Sequence, residues 1–125
     1  MIQKLDINGV HMEIGEDLRK YATKKIGKLD KYMSRHVRLS AHAEIKLKEA
    51  MIKRRKQATC EVILHLQNEN ILVQETTVNI YAAVDIVEEK LKNRLKKYKE
   101  KHGVKRFHHR VIRRFRRRRR TEGEI

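Results

Sequence analysis

The chain predicts an α+β domain of two layers, with the element order β-α-β-β-β-α, a four-stranded sheet and two helices on one face. Three observations carry this expectation. Residues 80–101 place Val84, Val87, Leu91, Leu95 and Tyr98 at the spacing of one buried helix face. Residues 18–33 do the same with Leu18, Ala22, Ile26, Leu29 and Met33, flanked by Tyr21 and Tyr32. Between them, stretches alternate apolar and polar residues with a period of two, which marks strands with one covered and one wet face. The two amphipathic helices are the only elements able to cover them.

The elements follow in order. A short apolar alternation over 2–7 predicts a first strand, closed by the turn pair Asn8–Gly9. Gly15–Glu16–Asp17 opens the first helix, with acids in the first turn where they suit the dipole. Val37, Leu39, Ala41, Ala43, Ile45 and Leu47 alternate with Arg38, Ser40, His42, Glu44 and Lys46, predicting the second strand. The segment Lys48–Gln57, with five cations, is expected to be the loop to a third strand. That strand carries Ala58, Cys60, Val62, Leu64 and Leu66, and Ile63 interrupts its polar side. Residues 71–78 are β-branched and threonine-rich, a fourth strand. Asn79 can cap the second helix, which is expected to run to about His102 and stop at Gly103. If the first two strands pair in parallel, their helical crossover should be right-handed.

Length and charge bound the function. At 125 residues the chain holds one domain, expected at 1–103, and a tail, 104–125. Net charge is +16, from 32 Lys+Arg against 16 Asp+Glu. Residues 105–120 hold ten of those cations and no acid, a density that predicts an arm flexible by itself or ordered only on RNA. Arg113, Arg114, Arg116 and Arg117 are its candidate contacts. Subtracting these ten leaves +6 for the remainder, so the folded part also favours a polyanionic partner, most commonly nucleic acid. The single cysteine, Cys60, excludes an internal disulfide and fits a reducing compartment. No apolar run approaches ~18 residues and no signal segment is visible, so a soluble cytoplasmic protein with no membrane partner is expected.

The charges are placed in rows. At about 100° per residue, Lys20, Lys24, Lys28 and Lys31 cluster on the first helix. On the second, Lys90, Arg94, Lys97 and Lys101 edge one flank of the apolar face, and Lys92, Lys96 and Lys99 the other. Lysines sit on solvated faces in most helices, but two helices edged with unpaired cations on one side of a sheet are expected to merge into one phosphate-binding surface. Phe107, Phe115 and four tyrosines are too few for a stacking platform, so shape and phosphate recognition is the better match. A layout like that of double-stranded-RNA-binding domains is the structural expectation.

Other constellations are weaker. The seven histidines lack cysteine partners at zinc spacing, so no metal site is expected. Cys60 falls on the apolar side of its strand and predicts a core residue. Glu88, Glu89 and Glu100 face away from the core and are expected to be solvated. Tyr81 and Asp85 suggest packing plus first-turn capping. No glycine-rich phosphate loop or base-and-orienter arrangement appears, so no enzyme activity, cofactor or small-molecule substrate is expected.

Tyr81–Ala82–Ala83–Val84–Asp85, followed by Lys90–Leu91 and a lysine-rich helix end, resembles the ribosome hibernation promoting factor family. Lys25–Ile26–Gly27–Lys28–Leu29–Asp30–Lys31–Tyr32 is similar to that family's first-helix pattern, and the likeness covers about 3–102 in the same element order. It implies a β-α-β-β-β-α fold that binds the small ribosomal subunit, and so the 70S ribosome, in the channel used by messenger RNA and the anticodon ends of transfer RNAs. It further implies basic helix faces on ribosomal RNA and blocked initiation under stress or in stationary phase. Carried over by position, the implied contacts are Lys25, Lys28 and Lys31, then Lys90, Lys97 and Lys101, with Arg19 a lesser candidate. Lys20, Lys24 and Arg94 join them from the charge rows. The family usually has arginine where this chain has Asn93, and here the cation stands one position later, at Arg94. Long family members carry a second domain that pairs ribosomes, and no such self-dimerisation domain is expected in the residues after Gly103. The competing readings are a constitutive structural ribosomal protein and a general RNA-binding module.

Overall fold

The computed structural model describes residues 1–103; the basic segment 104–125, with Arg113, Arg114, Arg116 and Arg117, lies outside the described residues. The elements are β1 (Lys4–Val10), α1 (Glu16–Gly27), a 3-10 turn (Lys28–Tyr32), α2 (Arg35–Ser40), β2 (His42–Ile52), β3 (Arg55–His65), β4 (Asn70–Thr77), α3 (Ile80–Tyr98) and a π-helical turn (Lys99–Gly103). One four-stranded sheet has the order β1-β2-β3-β4. β1 pairs with β2 in parallel, and the two remaining pairs are antiparallel.

Register aligns the apolar side chains across the sheet. Leu5 lies beside Ala43, Ala43 beside Leu64, and Leu64 beside Ile71, with Ile45, Val62 and Val73 in the next row. This face and the apolar stripes of α1 and α3 form one buried cluster, in which Ala22, Ile26, Leu29, Val84, Val87, Leu91 and Leu95 are almost fully covered. Cys60 belongs to it, and burial pushes its thiol up to about 12, so it is protonated and unreactive at neutral pH. The opposite face is wet. There His42 Nε2 meets Asp6 Oδ2 at 2.9 Å, His65 Nε2 meets Glu44 Oε2 at 2.6 Å, and the two imidazole centroids are 5.3 Å apart.

Three expectations fail locally. The chain does not turn at Asn8–Gly9: β1 continues to Val10 and turns at His11, with φ 58°. Gly9 is required there because a Cβ would stand 2.4 Å from the Met12 carbonyl oxygen. The second strand does not begin near Val37. Ser34 Oγ accepts from the Val37 N–H and caps α2, which buries Val37 and leaves Leu39 70% exposed. The alternation over 37–41 has no partner, since β1 and β3 both meet β2 only from His42 onward.

Lys48–Gln57 is not a loop. β2 and β3 stay paired to Ile52↔Arg55, and Lys53 and Arg54 make a two-residue turn with φ 52° and 65°. A hairpin of this kind needs positive φ at both central residues, normally from Asn-Gly, and each ordinary residue placed there costs about 1–2 kcal/mol. With glycine absent from the turn, no signal in the chain announced it.

Candidate nucleic-acid interface

The candidate interface lies where α1 runs beside α3. Asn79 Oδ1 accepts from the Tyr81 N–H and starts α3, so the next residues face α1 in fixed rotation. Tyr21 Oη donates to Asp85 Oδ1 at 2.5 Å, and the Tyr21 and Tyr81 rings meet edge to face at 5.0 Å. That hydrogen bond, ahead of burial, pushes the Tyr21 phenol up to about 12. Lys25 Nζ stands 3.5 Å from Asp85, 3.8 Å from Glu88 and 5.6 Å from the Tyr21 centroid. Tyr81 packs as expected, on Tyr21, while Asp85, expected in first-turn capping, accepts from Tyr21 and meets Lys25, so the pair binds the two helices to each other. The contact spans 64 residues of sequence, so no local pattern contains it.

Beyond this clasp the helices part into a groove. Lys24, Lys25, Lys28 and Lys31 line one stretch of it, and Lys28, Lys31, Tyr32 and Lys92 the next, with Glu88 and Glu89 on its α3 side. Gly27 ends the α-helix, and the following 3-10 turn has three residues per repeat, which stacks Lys28 over Lys31 on the groove edge. Tyr32 lies between two cations, Lys31 Nζ at 5.2 Å and Lys92 Nζ at 5.8 Å from its centroid. Among the described residues, Lys24, Lys28, Lys31 and Lys92 have no carboxylate partner at ion-pair distance. Periodicity puts Lys92 on the second flank and outside the expected contacts, and only the packing of α3 against the 3-10 turn brings it to Lys28 and Lys31.

The other candidates are placed differently. Lys90 and Arg94 border a hollow with Leu72, Val73, Gln74 and Asn93, and Arg94, Lys97 and Lys101 border another with Glu69 and Ile71. This flank of α3 faces β4, away from α1, so the expected merger into one surface includes α1 and Lys92 but leaves Lys90, Arg94, Lys97 and Lys101 as a separate row. Nor are the cations uniformly unpaired. Lys90 bonds to Glu75, Lys101 Nζ lies 3.9 Å from Glu69, and Lys20 Nζ lies 3.5 Å from Glu16 one turn back. Arg19 and Lys20 are exposed at the start of α1. Glu75 on β4 and Glu69 just before it thus moderate the second row, while Lys24, Lys28, Lys31 and Lys92 have no such partner among the described residues.

No helix among the described residues is long and apolar enough to cross a membrane.

A family model described as Sigma 54 modulation protein / S30EA ribosomal protein matches residues 5–103. A ribosome hibernation promotion factor of Lactococcus lactis is 34% identical over 96 residues, covering 77% of this chain and 49% of that protein. One of Staphylococcus aureus is 28% identical over 96 residues, covering 77% and 48%. The chain therefore spans about half the length of these curated relatives. The Protein Y N-terminal domain of Thermus thermophilus superposes with a TM-score of 0.58 at 26% identity, over 78% of this chain and 97% of that one. A ribosomal subunit interface protein of Coxiella burnetii gives 0.63 at 21% identity over 78% and 98%, a likeness of fold alone. By sequence over nearly the whole described domain, and by an arrangement of strands and helices that its solved relatives share, the chain belongs to the Sigma 54 modulation protein / S30EA ribosomal protein family, that of the ribosome hibernation promotion factors.

Proposed function

We propose that this chain is a ribosome hibernation factor that binds the small ribosomal subunit and lays its α1–α3 groove against ribosomal RNA. The observation that carries the reading is the unpaired set Lys24, Lys28, Lys31 and Lys92, held along one groove by α1, the 3-10 turn and α3, with Lys31 and Lys92 on either side of Tyr32. Cations without protein carboxylates are the ones able to release condensed counterions from phosphates. Lys25 supports the same face while joining the helices. Lys90, Arg94, Lys97 and Lys101, with Arg19 and Lys20, supply a second and weaker set of contacts, partly offset by Glu75, Glu69 and Glu16.

The bound position is the channel used by messenger RNA and the anticodon ends of transfer RNAs, so occupancy blocks initiation and leaves ribosomes inactive under stress or in stationary phase. The names of the relatives, ribosome hibernation promotion factors, support the hibernation part of this reading. The basic segment after residue 103 adds affinity through Arg113, Arg114, Arg116 and Arg117. The protein has no catalytic role, works in the cytoplasm and requires no cofactor.

Competition decides it. Binding of the full chain to isolated small subunits is measured with increasing messenger or initiator transfer RNA. Mutual displacement is expected, and simultaneous occupancy at saturating concentrations refutes the channel position.

A further inference from the structure

The β2–β3 hairpin lines neither the α1–α3 groove nor the hollows beside β4. β1 stops pairing with β2 at Lys48, and β4 stops pairing with β3 at Ala58, so residues 49–57 form a two-stranded ribbon flanked on neither side. Four residue steps at about 3.4 Å carry its tip some 14 Å past the sheet. Residues 51–57 are all exposed. The ribbon carries Lys53, Arg54, Arg55 and Lys56, with Lys48 at its base, and one acid, Glu49, which Lys56 Nζ already meets at 3.0 Å.

Register fixes where these charges stand. Met51 and Lys56 share the helix side of the ribbon, Ile52 and Arg55 share the open side with Lys48, and Lys53 and Arg54 occupy the tip. Uncompensated cations therefore stand on the open face and at the tip, while Lys56 on the helix side is offset by Glu49. The two exposed apolar residues, Met51 and Ile52, point to opposite faces, so no apolar side exists to enter a bilayer. At the tip, both residues adopt left-handed backbone that glycine or asparagine would take without strain. Long cations are kept where the turn disfavours them, and strain of that kind gathers at functional positions.

We propose that this ribbon is a second, independent RNA-binding element, a cationic finger that inserts beside phosphates of the same ribosomal RNA at a point distinct from the α1–α3 groove. The inference rests on the proposed ribosome binding and adds a separate contact to it. A two-stranded ribbon is slender enough to lie beside a phosphate strand, and its open-face and tip cations match a polyanion lying against them.

The test is the double substitution Lys53→Asn/Arg54→Gly in the full chain, which relieves the turn while removing the tip charges. Thermal melting is expected to rise by about 5 °C. Affinity for small subunits at 0.15 M salt is expected to fall by about 20-fold, from the loss of two phosphate contacts. Nuclease or radical probing should show one RNA patch exposed while the patch protected by the groove stays protected. Lys48→Gln/Arg55→Gln, which leaves the turn intact, should weaken binding comparably and holds the inference to account if the first variant folds poorly. Unchanged affinity and footprint in both variants, with loss of binding on substitution of the groove lysines, overturns the finger and leaves the proposed function standing. A wild-type chain that ignores small subunits overturns both. Hairpin-dependent binding to phosphatidylglycerol vesicles, with subunit binding unchanged, overturns it in favour of a lipid surface.

Discussion

Replacing Lys24, Lys28, Lys31 and Lys92 together with glutamine tests the groove most sharply. These side chains have no carboxylate partner among the described residues, so their removal breaks no ion pair there. The fold loses only the two cation–ring contacts at Tyr32, about 0.5–1 kcal/mol each. If each lysine neutralises one phosphate, four contacts lower the slope of log K against log salt by about 3, taking 0.7–0.9 per contact. From 1 M to 0.15 M salt that slope change is worth about 2.5 decades, so affinity at the lower salt should fall by roughly 300-fold. The assay is equilibrium binding of the full chain to isolated small subunits across a potassium chloride series at constant magnesium. Lys4→Gln/Lys46→Gln, on the wet face of the sheet, is the charge control, expected to leave the slope nearly unchanged. A correctly folded groove variant with the wild-type slope refutes the assignment. Equal effects from the wet-face control would show that net charge, not the groove, drives binding.

Other outcomes test the structure itself. Tyr21→Phe should cost about 1–2 kcal/mol, the value of a hydrogen bond to a charged acceptor at a half-buried site. In the wild type, ultraviolet titration should find one tyrosine ionising late; because its folded value is raised to about 12, the stabilisation is complete below about 10 and lost as pH rises through 12. That late tyrosine should vanish in the variant. Glu44 is held below its ordinary carboxylate value of 4.5, chiefly by the hydrogen bond from His65, so its contribution is present above that value and lost as pH falls through the folded one. Acid unfolding of Glu44→Gln should therefore differ from wild type near pH 6, and the difference should shrink below pH about 4.5. Leu39→Ser should change stability by less than about 0.5 kcal/mol, whereas Leu91→Ala should cost about 2–5 kcal/mol in chemical denaturation. A large loss at Leu39 would restore the strand that the structure replaces with α2.

The periodic features of the chain were legible because they record local geometry. Leu18, Ala22, Ile26, Leu29 and Met33 name the face of α1 and its 3-10 continuation, and Val84 to Tyr98 name that of α3, since burial of one side repeats at the helical period. The alternation in β3 and the cap at Asn79 were equally plain. Where the reading slipped, a non-local partner decided. Val37, Leu39 and Ala41 alternate like a strand, yet strands exist only where a neighbour supplies hydrogen bonds, and the sheet ends at His42. Lys53–Arg54 forms a hairpin turn because the paired strands impose it, against the preference of both residues.

Charge followed the same division. That α1 and α3 bear rows of lysine, and that the chain carries a net charge of +16, is determined by composition and spacing alone, because side-chain type and helical phase are local properties. Which rows face each other, and which lysines already hold a carboxylate, depended on packing. α3 lies so that Lys92 joins Lys28 and Lys31 around Tyr32, while Lys90 and Lys101 turn to Glu75 and Glu69 on the side of β4. Ion pairs between residues 15 or more apart arise from tertiary contact, and an amino-acid order read one turn at a time carries no record of them.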